Sequence, residues 1–349
     1  MSTIKEVAEL AGVSLGTASN VIRGDRRVGK ARAERVLAAV KQLDYHPNEV
    51  ARSLKAKQTR MLGLLVPDIT NPFFSDVIRG ADDAGLERGY LLFTANSDEQ
   101  VEREKLFVAA LRSRRVDGIL LAATASKSEA HLESVAAAGF PIVCLDRMAP
   151  GLAVDGVLAD NVRGAQECVR HLVRAGHRKI AIVTGALELQ IADERLTGYR
   201  AALEEAGIPV SGDLIMEGSF REEAGYRLGK DLLLRRDRPS AIFTSNGVMM
   251  LGLLLALDEM GVRCPEDIAL ATFDDLPFAH SFHPHLTAVA QPGKSIGYQG
   301  ASLLLDRIEG RRSGDPVTIR IPPELKIRES TKGFKFSAPD RDKGAIQKN

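Results

Sequence analysis

The sequence predicts an α/β protein with an N-terminal helix-turn-helix headpiece followed by two doubly wound parallel-sheet lobes. Three observations carry this. The first 45 residues space their apolar side chains at helical intervals, punctuated by caps and glycines. From residue 61 onward, short apolar strands alternate with amphipathic helical patterns in two series of about 100 residues. Charge is also divided unevenly along a chain whose net charge is only +1. Residues 1–60 hold twelve Lys or Arg against six Asp or Glu, while the remainder holds 35 against 40. A basic head on a slightly acidic body points to a polyanion as the head's own partner. Charge alone fits a solvated basic surface equally well.

Taken in order, Thr3 and Glu6 form a capping box, and Val7, Leu10 and Ala11 give the first helix one apolar face. Gly12 ends that helix, and Ser14 is a natural N-cap for a second reaching about Ile22. A third follows Gly29, with Ala33, Val36, Leu37, Val40 and Leu43 at helical spacing, and stops before Pro47. Asn48 can cap a short fourth segment over 49–55, and the basic stretch to Arg60 reads as a linker. The first series of strands is expected at 62–67, 90–95, 118–122, 142–146 and 157–160. The second is expected at 180–184, 214–218, 241–244, 268–273, 287–290 and 317–321. Helical crossovers between such strands imply parallel sheets, and ligands of such sheets sit beyond the strands' carboxyl ends, here between the lobes. The division that follows is a head over 1–47, a hinge helix and linker over 48–60, a two-lobed core over 61–331 and a polar tail over 332–349. Lobe 1 would take about 61–160 plus 291–320, and lobe 2 about 161–290 plus 321–331.

Composition narrows the class. With 44% hydrophobic and 27% charged residues, the 349-residue chain can bury a packed core. No apolar run reaches the roughly 18–20 residues that span a bilayer, which excludes a membrane protein. The charged start, MSTIKEVAELAG, lacks the apolar stretch of a signal peptide, and three scattered cysteines (Cys144, Cys168, Cys264) make neither a disulfide scaffold nor a cysteine zinc site. Both features fit a reducing cytoplasm.

The run from Thr3 to Gly24 carries the strongest local signal. Ala8 lets two helices cross closely, Gly12 permits the turn, and Val13, Ala18 and Val21 face inward. Leu15, Gly16, Thr17, Ser19 and Asn20 are left outward at the start of the second helix, the arrangement that enters a major groove. Thr17 and Ser19 suit phosphate oxygens, and Asn20 can read an adenine edge bidentately. An ordinary helical hairpin is the alternative from this segment alone.

The segments TIKEVAELAGVS, TASNVI and LDYHPNEVARSLK resemble the headpiece of LacI/GalR-family regulators. The likeness continues in order through NPFF at Asn71, RRVDGI at Arg114, LDR at Leu145 and DN at Asp160. It runs on through GHRKIA at Gly176, RLTGY at Arg195, FDD at Phe273, LTAVAQP at Leu286 and REST at Arg328. This resemblance implies a DNA-binding headpiece on a periplasmic-binding-protein-like type I core. It implies a repressor, active as a homodimer on a pseudo-palindromic double-stranded operator, answering to a small effector between the lobes, and placed in the cytoplasm at the nucleoid. Leu15, Gly16 and Asn20 then stand at base-reading positions, and Thr3, Thr17 and Ser19 at phosphate-contacting ones. Leu15 and Gly16 replace larger polar or aromatic side chains, so base reading rests on Asn20 and on the hinge. Ala18 replaces a usual valine. In the hinge, Leu54 would wedge between base pairs of the minor groove, with Ala51, Arg52 and Lys55 beside it.

For the effector, the resemblance places Asp68, Phe74, Asp146, Asp160, Leu189, Ile191, Arg195, Phe220, Asn246 and Asp274 at or near the cleft. Arg195 can grip a carboxylate, phosphate or sugar hydroxyls, Asp274 and Asn246 can accept from hydroxyl pairs, and Phe74 with Phe220 can sandwich a ring. An Arg195–Asp160 ion pair bridging strands is the structural alternative. Leu189 and Ile191 replace polar side chains of purine-binding relatives, which argues against a purine and leaves a sugar, sugar acid or polyol. Gly247 stands where the family usually has an acidic residue. His280, His283 and His285 lack a fourth ligand in sequence, and no metal or cofactor is expected.

Two patterns look catalytic and fail on context. G-x-S-x-G at Gly12 follows a helix instead of a strand, and the loop from Gly24 to Lys30 lacks the Ser or Thr of a phosphate loop. The chain is therefore read as no enzyme. The rival reading is a solute- or sugar-binding protein on the same core, which would need a signal peptide and no basic head.

Overall fold

The computed structural model describes residues 2–22, 27–45, 58–124, 127, 130–277 and 283–332. It separates into two units, Met1–Thr59 and Arg60–Asn349. The expected hinge helix and the tail beyond Lys332 lie outside the described residues, as does His280.

In the first unit, α1 (Ile4–Ala11), α2 (Leu15–Ile22) and α3 (Lys30–Gln42) pack around Val7, Ala8, Ala11, Ala18, Val21, Val36 and Ala39. The capping box is formed: Thr3 Oγ1 accepts from Glu6 N–H while Glu6 accepts from Thr3 N–H. Gly12 turns the chain at φ +60°, a conformation glycine adopts without the steric cost of a side chain. Ser14 Oγ accepts from Thr17 N–H at 3.2 Å, and Ala18 is fully buried.

The second unit holds two six-stranded sheets. Its elements are β1 (Met61–Val66), α4 (Pro72–Glu87), β2 (Leu91–Asn96), α5 (Val101–Ser113), β3 (Gly118–Leu121), α6 (Ala130–Ala137), β4 (Ile142–Leu145) and β5 (Asp155–Ala159). They continue as α7 (Asn161–Arg174), β6 (Ile180–Thr184), α8 (Gln190–Glu205), β7 (Ile215–Glu217), α9 (Glu222–Leu233), β8 (Ala241–Thr244), α10 (Gly247–Met260) and β9 (Ala269–Phe273). The last are β10 (Thr287–Ala290), α11 (Gly293–Ile308), β11 (Thr318–Ile321) and β12 (Glu324–Lys326).

The first sheet runs β11-β5-β4-β3-β1-β2, all parallel. The second runs β12-β10-β9-β8-β6-β7, parallel except for the β10–β12 pair. Both reverse strand order beside their first strand, and each sheet is covered by apolar clusters on its two faces, so each is doubly wound. The chain crosses between the sheets three times, from β5 to α7, from β10 to α11, which packs on α4, and from β11 to β12. Backbones touch where α4 meets α11: a Cβ on Gly80 would lie 2.0 Å from Lys294 O, and one on Gly297 would lie 1.9 Å from Val77 O.

Several boundaries differ from expectation for local reasons. The strand expected at 157–160 begins at Asp155 and stops at Ala159, because Asp160 leaves the sheet to cap α7, accepting from Arg163 N–H. The strand expected at 214–218 is shortened to β7 by a 3₁₀ turn over Gly212–Leu214. β12 was not anticipated: it is three residues long, directly after Pro322 and Pro323, and it pairs antiparallel at a sheet edge.

Candidate functional site

A cavity of about 410 Å³, part of it open to solvent, lies between the carboxyl ends of the two sheets. Asp68 enters from the loop after β1, Glu99 from the loop after β2, and Asp146 and Arg147 directly after β4. From the other lobe come Phe220 and Arg221 after β7, Asn246 after β8, Asp274 after β9 and Gln291 after β10. Phe73 and Phe74 stand in the first turn of α4, which Asn71 caps, and Ile191 and Arg195 in the first turns of α8.

Arg195 is 2% exposed, its guanidinium carbon 3.9 Å from the Phe273 ring centroid. Nε donates to Asn161 Oδ1 at 2.9 Å and Nη1 to Ser245 O at 2.6 Å. Burial lowers its pKa from the ordinary arginine value, opposed by Asp274 and Asp146. Asp146 is pushed up to about 6, chiefly by burial, with Asp274 adding to the rise and Arg195 and Arg147 opposing it. Asp274 is tied on both oxygens: Gln291 Nε2 donates to Oδ1 and Gly247 N–H to Oδ2. Gly247 is thereby part of the carboxylate's support, and a Cβ there would come within 2.7 Å of Leu276.

Two further guanidinium groups border the space. Arg147 donates to Glu99 at 2.9 Å. Arg221 reaches across the cleft, donating through Nη1 to Asp68 at 3.1 Å and through Nη2 to Asp98 at 2.6 Å. That pairing holds the Asp98 carboxyl below its usual range. Asp146 Oδ1, Arg147 Nε and Nη1, and Gln291 Oε1 are buried with no hydrogen-bond partner among the described residues. Such groups cost free energy unless something supplies their hydrogen bonds.

Eight of the ten effector positions from the sequence therefore line one cavity: Asp68, Phe74, Asp146, Ile191, Arg195, Phe220, Asn246 and Asp274. Asp160 and Leu189 do not. Asp160 caps α7 at the first inter-lobe crossing, its N–H donating to Ile321 O at the third. Leu189 precedes α8 and borders a separate groove with Met148 and Gln190. The alternative Arg195–Asp160 bridge is not made either, because the contact of Arg195 on that side is Asn161. Arg147, Arg221, Glu99 and Gln291 were missed, although Arg147 and Arg221 each directly follow a residue that was chosen. Adjacency to a strand's carboxyl end was the available signal.

On the head, Leu15 is 53% exposed and Gly16 is exposed, with Thr17, Ser19 and Asn20 half-buried on the same helix. Thr3 is engaged as the cap of α1, and Thr17 Oγ1 lies 2.9 Å from Ser14 Oγ. Ala51, Arg52, Leu54 and Lys55 lie outside the described residues.

Residues 3–48 match the family model described as bacterial regulatory proteins, lacI family, and residues 169–331 match a periplasmic binding protein-like domain. The chain is 38% identical over 333 residues to the HTH-type transcriptional repressor PurR of Proteus mirabilis, covering 95% of this chain and 97% of that protein. Among solved structures, it resembles a lac repressor dimer bound to operator and the anti-inducer ONPF, at 27% identity and a TM-score of 0.82, covering 95% of this chain and 99% of that one. It also resembles a complex of the transcriptional regulator CelR with cellobiose, at 32% identity and a TM-score of 0.72, covering 95% and 100%. A ribose-bound LacI family regulator from Enterococcus faecium is 31% identical with a TM-score of 0.71, covering 79% of this chain and 100% of that one.

Proposed function

The chain belongs to the lacI family of bacterial regulatory proteins, and from that premise we propose that it is a transcriptional repressor whose grip on its operator is set by a polyhydroxylated effector held between the lobes. A sugar, sugar acid or polyol is the class. The observation that carries this reading is the mixed set of buried atoms without protein partners: acceptors on Asp146 and Gln291 beside donors on Arg147. A hydroxyl group both donates and accepts, so vicinal hydroxyls satisfy such a set where a purely donating or purely accepting ligand does not. Phe74 and Phe220 supply apolar faces for a ring. Similar proteins have been solved with cellobiose and with ribose.

In this reading α2 enters the major groove through Leu15, Gly16 and Asn20, and Thr3, Thr17 and Ser19 meet phosphates. Leu54, with Ala51, Arg52 and Lys55, opens the minor groove. Two copies act on a pseudo-palindrome, consistent with the edge strand β2, where Leu91 and Phe93 are exposed. The work is done on genomic DNA, in the cytoplasm at the nucleoid. Effector and operator communicate by shifting the lobes between arrangements, and about 1–3 kcal/mol of coupling changes operator affinity several-fold to a hundredfold.

The test is thermal unfolding of the full chain against monosaccharides, disaccharides, sugar acids, polyols and nucleobases. A ligand at about 100 times its Kd adds ~2.7 kcal/mol of stability, a readily measured shift. The expected shift comes with polyhydroxylated compounds, is abolished in Asp274→Ala, and is matched by a change in operator affinity. A shift confined to nucleobases, or none with any compound, overturns the effector class.

A further inference from the structure

At the amino end of β10, opposite the strand ends that form the cavity, His283 and His285 meet Glu329 of the closing 3₁₀ turn. We propose that these three side chains form a binding site for one divalent transition-metal ion of the zinc class. One ligand atom from each lies within 4.8 Å of the other two, and no other such convergence of three His, Cys, Asp or Glu donors occurs among the described residues. The imidazole rings are 4.9 Å apart and inclined at 61°, and Nδ1 of His285 stands 3.1 Å from Glu329 Oε2. In a tetrahedral zinc site with bonds of about 2.0–2.1 Å, neighbouring ligand atoms sit roughly 3.3 Å apart, so modest side-chain rotation closes the set. Two imidazoles and a carboxylate are borderline ligands that suit zinc, nickel or copper over calcium or magnesium, and three protein ligands leave a coordination position for water.

The backbone beneath is already fixed. His285 N–H donates to Glu329 Oε2 at 3.1 Å, orienting the carboxylate. Ser330 N–H donates to His285 O at 3.0 Å, Thr287 N–H to Ser330 Oγ at 2.8 Å, and Arg328 Nη1 to Leu286 O at 2.7 Å. His285 and the turn that carries Glu329 are thus held by hydrogen bonds that do not depend on an ion. Asp275 takes no part, being paired with Lys326 and Arg328. An ion here would staple segments 44 residues apart in sequence, stabilising the second lobe by mass action.

The full chain, stripped with chelator, would be titrated with Zn²⁺ by calorimetry and with Co²⁺ by visible absorption. The expected result is one ion per chain, a Co²⁺ spectrum of low coordination number, and an upward Tm shift with Zn²⁺. His283→Ala and Glu329→Gln should each weaken binding about tenfold or more. Both should keep the parental Tm without metal, since the amide oxygen introduced by Glu329→Gln preserves an acceptor for His285 N–H. Absence of binding by the full chain, or unchanged affinity in both variants, overturns the site.

Discussion

Asp146 and Asp274 occupy the same place in the two lobes. Each directly follows the fourth strand of its lobe, β4 or β9, and each has a left-handed backbone, at φ +64° and +72°. Each donates its N–H to the neighbouring fifth strand, to Val157 O at 3.1 Å and to Val289 O at 3.0 Å. Both then face the cavity and act on Arg195. Aspartate tolerates this conformation better than most side chains, and the strand hydrogen bond fixes it. The two halves of the cleft thus each contribute one carboxylate whose charge favours the Arg195 guanidinium.

The contribution of Asp146 to stability should fall as pH rises from about 4 to about 6, against the opposite contribution of His177, whose pKa burial lowers to about 4. Asp146 is held near 6 by burial, while its ordinary value is 3.8. In that window the folded chain retains a proton that the unfolded chain releases, so deprotonation favours unfolding. The difference between the two values corresponds to about 3 kcal/mol, reached in full above pH 6. Asp146→Asn should raise Tm at pH 7 and flatten this decline, while weakening effector binding. Identical Tm profiles for the two proteins between pH 4 and 7 would remove the assignment.

Arg195→Ala should cost about 2–4 kcal/mol in urea denaturation at pH 7. Asn161 Oδ1 and Ser245 O lose a buried donor, Phe273 loses its packing partner, and Asp146 and Asp274 lose a favourable nearby charge. The loss should be smaller at pH 5, where Asp146 is protonated. A pH-independent loss would mean that the two hydrogen bonds and the packing on Phe273 alone are at stake.

Arg221→Ala breaks the ion pairs with Asp68 and Asp98 that span the cleft. The Arg221 side chain is 32% exposed, so stability should change by less than about 1 kcal/mol. The conformational effect should be larger: scattering of the effector-free protein should give a larger radius of gyration, and raised salt should reproduce the change in the parent. An unchanged radius would show that these pairs do not hold the lobes together.

Leu54→Ala should reduce operator affinity about tenfold or more and diminish DNA bending, since unstacking a base step depends on the apolar wedge. Effector binding should be unaffected. Bending measured by fluorescence energy transfer between DNA ends decides this, and bending equal to the parent would exclude the wedge.

Much of this architecture was legible in the chain. The capping box at Thr3 and Glu6, the turn at Gly12 and the alternation of apolar runs with helical patterns are local signals, and local physics reads them directly. Strand ends moved where a neighbour intervened: Asp160 left β5 to cap α7, and β12 formed from three residues because β10 offered a partner edge. The family resemblance places the aspartates after β4 and β9 at the cleft, and both line the cavity at strand ends.

What the sequence determined by itself is the order of elements, the basic head and the family resemblance, all carried by short-range spacing and composition. What only the tertiary structure decided is which side chains meet. Arg195 pairs with Asn161 and Ser245 instead of Asp160, Arg221 bridges the lobes to Asp68 and Asp98, and Glu329 arrives beside His283 and His285. These partners are separated by tens to more than a hundred residues. Arg221 and Glu329 meet their partners because the chain crosses between the two sheets, and Arg195 meets its own through packing within the second lobe; no local pattern encodes either.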